Sequence, residues 1–269
     1  MLIAAVYLEV KRRLGFRGIF GLGILIFLYV SLVVVAWTGM KDLAAVYGEV
    51  MKSLPEGMLK VFAKTGAVAA FNYDFYYVME YYGIFVVLLM GIYYAYTSAS
   101  SIVNELEAKT AWILHSGPIR RYKIVLGKFI GVLISIIITI LISLVISIAL
   151  PHIIGEDINS LRYAELHLTG MLYLAACATL GFLLATIMLS KMAPALSAVI
   201  VGAMYFVDTL TIDTDLEKLG ALAFSRYYDF YSILVEGEVN LNNFLVLVIV
   251  AMVFIVVALL VYGRKDIHM

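Results

Sequence analysis

Six long apolar segments, separated by polar stretches, dominate the pattern of this chain. An α-helix needs about 20 mainly apolar residues to cross the hydrocarbon core of a bilayer, and most of the segments approach that length. The pattern predicts six membrane-spanning helices at approximately 18–37, 77–99, 129–150, 168–189, 192–207 and 244–262. The fifth segment is the shortest. It follows Ser190-Lys191 after a tight turn, and Pro194 suits a first helical turn, so we expect a hairpin of the fourth and fifth helices.

The first 17 residues have a different, amphipathic pattern. Apolar side chains recur at near-helical spacing, while basic side chains crowd the other side and the end of the segment. This pattern predicts an interfacial helix at 1–17 that lies along the membrane surface. A signal peptide is the alternative, but its apolar core would be about 7–15 residues long and would end at a small-residue cleavage site. The apolar run that follows is longer and has no such site, so we retain the segment as structure.

Composition agrees with this pattern. Apolar residues make up 64% of the 269 residues and charged residues only 14%, and the mean hydropathy is +1.02. Such values lie far outside the range of soluble globular chains. We therefore expect a single all-α integral membrane domain over 1–269, in contact with lipid and with no nucleic-acid partner. The lone Cys177 cannot form an intrachain disulfide, and a buried small residue is its simplest interpretation.

The polar stretch 104–128 stands out because it is rich in charge and lies between two apolar segments. Asn104 is a candidate N-cap, and Glu107 follows at the position of a capping box. The pattern therefore predicts a short amphipathic helix at 104–116, which Gly117-Pro118 would end. One moderately apolar stripe of this helix would consist of Leu106, Thr110, Ile113 and Leu114.

This stretch resembles the ABC-2 type transporter permeases. The family pattern between the second and third membrane helices is matched here by Glu105, Lys109-Thr110, Ile113-Leu114, Gly117-Pro118-Ile119, Arg121 and Gly127-Lys128. The tail 262–267 is similar to the Arg-Arg-Asp ending common in the family. One departure is Ala108-Lys109, where family members often have Gly just before the Thr.

The resemblance implies that this chain forms the membrane path and that a separate subunit hydrolyses ATP. The segment 104–116 would be a coupling helix that docks into a groove on a separate cytoplasmic ATP-hydrolysing subunit. Four residues would transmit the nucleotide-driven motion, namely Glu105, Thr110, Ile113 and Leu114. Pro118 and Arg121 would set the turn back into the membrane, and Lys109 belongs to the same coupling set. The chain itself would bind no cofactor, since ATP and Mg would reside on the partner subunit. A second permease subunit, identical or different, would complete a path for an unidentified substrate moving outward.

The distribution of basic residues predicts the orientation. With the amino terminus inside, the inner segments hold 12 of the 19 Lys and Arg residues, as the positive-inside rule requires. These residues are Lys11, Arg12, Arg13, Arg17, Lys109, Arg120, Arg121, Lys123, Lys128, Lys191, Arg264 and Lys265. We therefore expect a multi-pass protein of the cell membrane, with both termini and the stretch 104–128 in the cytoplasm.

The sequence contains none of the catalytic or metal-binding motifs considered. The residues around Gly127-Lys128 do not make a phosphate-binding Walker loop, H-E-x-x-H is missing, and the four histidines show no ligand spacing. We therefore predict that the chain is not an enzyme. The interiors of segments three, four and six contain no acid or base, which argues against coupling to an ion gradient. A membrane scaffold or sensor that binds a cytoplasmic partner through 104–128 remains the alternative to a permease.

Two outer stretches and the tyrosines complete the picture. We expect one or two short helices on the outer surface within 38–76 and short re-entrant helices within 208–243. The acidic residues of 208–243 are interpreted as a solvated face in preference to a metal site. Tyrosines at both ends of the second segment are interpreted as aromatic belts, with substrate stacking as the alternative. They are Tyr73, Tyr76, Tyr77, Tyr81 and Tyr82 at one end, and Tyr93, Tyr94 and Tyr96 at the other.

Overall fold

The computed structural model describes residues 6–11, 16–54, 71–107, 121–212 and 214–265. Within these ranges the chain is helical apart from turns and contains no β-strand. The main helices are α1 (Phe16–Met40), α2 (Ala44–Lys52), α3 (Tyr73–Tyr77, Val78–Met90 and Gly91–Glu107 in continuous succession), α4 (Arg121–Ile153), α5 (Ser160–Met188), α6 (Ala193–Thr211), α7 (Glu217–Gly220) and α8 (Leu241–Arg264). The middle part of α3, Val78–Met90, is π-helical.

The described part of the chain contains six helices long and apolar enough to cross a membrane: α1, α3, α4, α5, α6 and α8. The prediction of an all-α protein with six membrane helices is therefore confirmed. Several of these helices extend well beyond the apolar segments, because polar residues cap their ends. Asn72, Asn159 and Asn240 accept hydrogen bonds from backbone N–H groups in the first turns of α3, α5 and α8.

The connections are partly as expected. Leu189 ends α5 in the left-handed conformation at a φ of 47°, and α6 begins four residues later with Pro194 in its first turn, as in the expected hairpin. The stretch 38–76 contains α2, and three short helical stretches, including α7, precede α8. Residues 6–11 are helical, but whether 1–17 lies along the membrane surface stays a prediction.

One expected helix start is wrong. Asn104 lies inside α3, which continues to Glu107, so it does not cap a new helix. The reason is packing: Ile102 and Val103 are buried against the bundle and hold the backbone helical past the last apolar run. Residues 108–116, the remainder of the predicted coupling helix, lie outside the described residues.

Helix α5 is the centre of the bundle. It packs against α3, α4, α6 and α8 and is the most deeply buried of the six membrane helices. Small residues make this position possible, since Ala176, Ala178 and Gly181 let neighbouring backbones approach closely. A Cβ atom on Gly181 would overlap the carbonyl oxygen of Ala95 in α3. The close contact between α3 and α5 therefore requires glycine, which has no side chain, at position 181.

Candidate functional site

The ends of α3 and α4 that flank the predicted coupling segment are joined by a partly buried ion pair. Lys128 of α4 is only 4% exposed, and its Nζ lies 2.5 Å from a carboxylate oxygen of Glu105 in α3. The same Nζ donates a hydrogen bond to the carbonyl oxygen of Ser101, one turn earlier in α3. An amine buried this deeply needs such acceptors, because an uncompensated charge in an apolar setting is costly. The pair therefore fixes the spacing of α3 and α4 at this end of the bundle.

Four helix ends make up this end of the bundle, which we call the basic end: the end of α3, the start of α4, the end of α5 and the end of α8. Lys265, just after α8, donates to the carbonyl oxygens of Thr186 and Ile187 in the last turn of α5. These carbonyls have no partner within their own helix, so a cation there is favourable. The chain end similar to the family's Arg-Arg-Asp ending thus caps the central helix.

The amino-terminal segment reaches the same helix, α4. Glu9 is 4% exposed, and its Cβ packs against the backbone of Gly131. A Cβ atom added to Gly131 would lie only 2.7 Å from the Cβ of Glu9. Gly131 is one turn from Lys128 along α4. Because Gly131 has no side chain, the 6–11 segment can pack closely against α4 at this position.

The structure tests only part of the predicted coupling set. Glu105 is described and pairs with Lys128, and Arg121 is the first residue of α4. The other members, Lys109, Thr110, Ile113, Leu114 and Pro118, lie outside the described residues, so their roles stay predictions. Lys128 was recognised in the sequence only as part of the Gly-Lys pattern. Its partner could not be foreseen, because 23 positions separate it from Glu105 along the chain.

A second feature, which was not predicted from the sequence, is a polar seam in the middle of the bundle. Four buried hydroxyl residues recur every four positions along one face of α4: Ser135, Thr139, Ser143 and Ser147. Tyrosines of α3 reach across to them. The hydroxyl of Tyr81 lies 2.6 Å from Ser143 Oγ, that of Tyr94 lies 2.6 Å from Thr139 Oγ1, and Tyr77 donates to Ser147. The repeat of hydroxyls was visible in the sequence and is the signal that could have revealed the seam.

His167 of α5 joins the seam to a third helix. Its ring is 1% exposed; Nδ1 lies 2.7 Å from the hydroxyl of Tyr82 and Nε2 lies 3.0 Å from Ser143 Oγ. The carbonyl oxygen of Tyr163 is 2.7 Å from Nδ1. Buried polar groups away from water need such partners. The network therefore holds α3, α4 and α5 in one arrangement.

The tyrosine interpretation needs a correction at both ends of the second segment. Tyr77, Tyr81 and Tyr82 at one end and Tyr94 at the other do not belong to an interfacial belt, because they are at most 1% exposed. The rings of Tyr77 and Tyr81 stack with centroids 5.3 Å apart, and Phe85 stacks on Tyr81 at 5.4 Å. These side chains pack inside the bundle because their hydroxyls find partners on α4 and α5.

A comparison with models of known protein families gives the decisive match. The model described as "ABC-2 family transporter protein" matches residues 4–267, which is nearly the whole chain. The chain belongs to the ABC-2 transporter family. A search of curated proteins finds no significant match. The family assignment, with six membrane helices, makes this ABC-2 chain a membrane-embedded transporter component and confirms the resemblance seen in 104–128.

Four of the six acids of this ABC-2 chain that the structure describes in 208–243 are exposed, as a solvated face predicts; they are Asp215, Glu217, Glu236 and Glu238. Glu217 pairs with Arg226 at 2.6 Å, and Asp229 accepts from the backbone N–H of Ser232. Asp208 is 3% exposed and accepts a hydrogen bond of 2.8 Å from Ser225. Among the described residues, no group of three or more metal-ligating side chains could hold a metal ion. The burial of Asp208 was not foreseen.

The ion pair at the basic end leads to a stability prediction. Lys128→Met is expected to lower the free energy of unfolding by about 1–3 kcal/mol, between the values of exposed and fully buried pairs, because Glu105 is partly exposed. Thermal unfolding of the purified chain in one detergent measures the change. Lys123→Met is the matched control, since it removes an exposed charge from the same helix and should change stability by less than about 0.5 kcal/mol. Equal effects of the two substitutions would contradict a structural role of the pair.

Proposed function

We propose that this chain is the permease subunit of an ABC exporter, driven by a separate ATPase subunit that docks on 104–116 from the cytoplasm. Family membership and six apolar helices support the transporter assignment. The partly buried Glu105–Lys128 pair is the observation that best supports docking at this place. It joins the two helices that enter and leave the proposed docking segment.

The ion pair gives the proposal a mechanical basis. If docking displaces the segment 108–120, the ends of α3 and α4 would move together, because the Glu105–Lys128 ion pair joins those ends. The polar seam continues the connection along both helices and extends it to α5 through His167. A displacement of the docking segment would therefore move three helices as a group, which suits alternation between two arrangements of a permease.

In this proposal, each predicted residue of the coupling set keeps its role. The apolar side chains of Ile113 and Leu114, with Thr110, would enter the groove of the ATPase subunit, while Lys109 would lie at its edge. Pro118 and Arg121 would turn the chain back towards α4. ATP and Mg would be bound by the partner subunit, and a second permease subunit would form the other half of the outward path.

The proposal requires the basic end to face the cytoplasm, and cysteine labelling tests this. The single cysteine of the chain, Cys177, is buried, so the unmodified protein gives little background. Ser116→Cys should react with a membrane-impermeant maleimide only in lysed cells, whereas Asp215→Cys, at an exposed position beyond α6, should react in intact cells. This expectation follows from the excess of basic residues at the basic end. The reverse labelling pattern would contradict docking of a cytoplasmic ATPase there.

A further inference from the structure

A cleft lies at the end of the bundle opposite the basic end, and nothing in the coupling mechanism uses it. One wall is the π-helical part of α3, a second is the last part of α6, and the segment between α7 and α8 closes it. Its volume is about 180 Å³. π-helical stretches are rare and occur often at functional sites, so a cleft built on one is a reasonable place to look for a ligand.

The polar groups of this cleft are acidic. Glu80 of α3 and Asp208 of α6 line it, together with the hydroxyls of Ser225 and Thr209. None of the described residues that line it is basic. The cleft therefore combines two carboxylates with a small number of hydroxyl groups and favours positive charge.

The rest of the lining is apolar and aromatic. The rings of Tyr205 and Phe230 line the cleft beside the side chains of Met79, Ile84 and Val87. Gly83 also lines it, and a Cβ atom there would meet the ring of Phe230 and the carbonyl oxygen of Val78, each at 3.8 Å, which is ordinary van der Waals contact. Aromatic rings attract organic cations through their faces, and apolar walls suit alkyl substituents. A small inorganic ion would leave these walls without a partner.

The burial of Asp208 is the strongest evidence that the acidic groups of the cleft bind a ligand. Asp208 lies on α6, which is long and apolar enough to cross a membrane, and it is 3% exposed. A carboxylate in such a position is expensive, and acidic residues in membrane helices usually mark sites for ions or substrates. Ser225 orients one of its oxygens through a hydrogen bond of 2.8 Å.

We propose that this cleft binds organic ammonium groups, with Asp208 and Glu80 providing the counter-charge and Tyr205 and Phe230 providing the aromatic walls. The volume is below the roughly 300–1,000 Å³ of sites for drug-sized ligands, so the cleft holds a small quaternary or tertiary amine or the cationic head of a longer amphiphile. Its further role as a substrate site rests on the transport function proposed above. Binding itself needs no ATPase subunit.

Equilibrium dialysis of the detergent-purified chain with radiolabelled benzyltrimethylammonium tests the proposal. We expect saturable binding that excess unlabelled cation displaces. Neopentylbenzene, which has the same shape without the charge, should displace the cation poorly. If it displaces the cation as well as the unlabelled cation does, or if no saturable binding is found, the proposed site is wrong.

Variants locate the bound cation. Asp208→Asn and Glu80→Gln should each weaken binding by about tenfold or more, as expected for the loss of a charged partner, and Gly83→Leu should block binding by filling the cleft. Glu236→Gln is the matched control, an exposed acid of the same outer stretch that does not line the cleft, and it should bind as the unmodified chain does. If Asp208→Asn does not fold, Glu80→Gln and Gly83→Leu decide alone. Unchanged binding in both would overturn the assignment, and failure of ATPase docking would leave this result unaffected.

Discussion

Replacing Leu114 with Asp is expected to abolish the association of this chain with the proposed ATPase subunit while leaving the chain inserted in the membrane. In the proposed docking geometry, Leu114 enters a groove on the partner, and a carboxylate there would be buried without a counter-charge. We expect Leu114 to be a hot spot of the interface, and loss of such a contact costs at least about 2 kcal/mol, or roughly thirtyfold in affinity. The amount of ATPase subunit that co-purifies with equal amounts of chain measures the effect.

The matched control is Leu222→Asp. Leu222 is 70% exposed in the segment before α8, so the same chemical change occurs far from the proposed docking surface. This variant should retain the ATPase subunit fully. Undiminished co-purification with Leu114→Asp, or an equal loss with Leu222→Asp, would contradict docking of the ATPase subunit on the apolar stripe that contains Leu114.

A second substitution should have a large effect on folding. Gly181→Ala would place a methyl group onto the backbone of α3, where the carbonyl carbon of Ala95 and the amide nitrogen of Ala99 lie 3.1 and 3.2 Å from the added atom. These neighbours are backbone atoms of a packed helix and cannot rotate away, so α3 and α5 must separate. We expect a loss of about 3 kcal/mol or more in stability, at the upper end for overpacking. Thermal unfolding in detergent, together with the yield of monodisperse protein, measures it.

Gly21→Ala is the control for this change. Gly21 is exposed on α1, and a Cβ atom there meets nothing within 4 Å. The same substitution should therefore leave stability unchanged or raise it by up to about 1 kcal/mol through helix propensity. If the two alanine variants unfold at the same temperature, the close contact between α3 and α5 is not as the structure shows.

The sequence predicted the membrane helices well because length and hydrophobicity decide whether a segment can span a bilayer. It did not predict which face of each helix has partners. Tyr81 is an example: near a helix end, a tyrosine in an interfacial belt and a buried tyrosine have the same local pattern. Only the placement of Ser143 on α4 distinguishes them, because it provides a hydrogen-bond partner inside the bundle.

The candidate site shows the same limit. Glu105 was identified through a family pattern, yet its ion pair with Lys128 joins two helices whose relative position no local signal specifies. Asn104 gave a wrong helix start, because tertiary packing of Ile102 and Val103 outweighs a capping preference of about 1 kcal/mol. Asp208 looked like one of several loop acids, and its burial follows from the fold of the segment that packs Ser225 against it.

The central claim is that this ABC-2 chain works as the permease of an ATP-driven complex. The most direct measurement is purification of the chain from its native membrane in a mild detergent, followed by an assay of ATPase activity in the eluate. We predict that a nucleotide-binding subunit co-purifies in stoichiometric amount with measurable ATPase activity, and that both are lost when Glu105 and Leu114 are replaced together. A chain that elutes alone and without ATPase activity, under conditions that preserve other complexes of this kind, would contradict the account and favour a membrane scaffold or sensor.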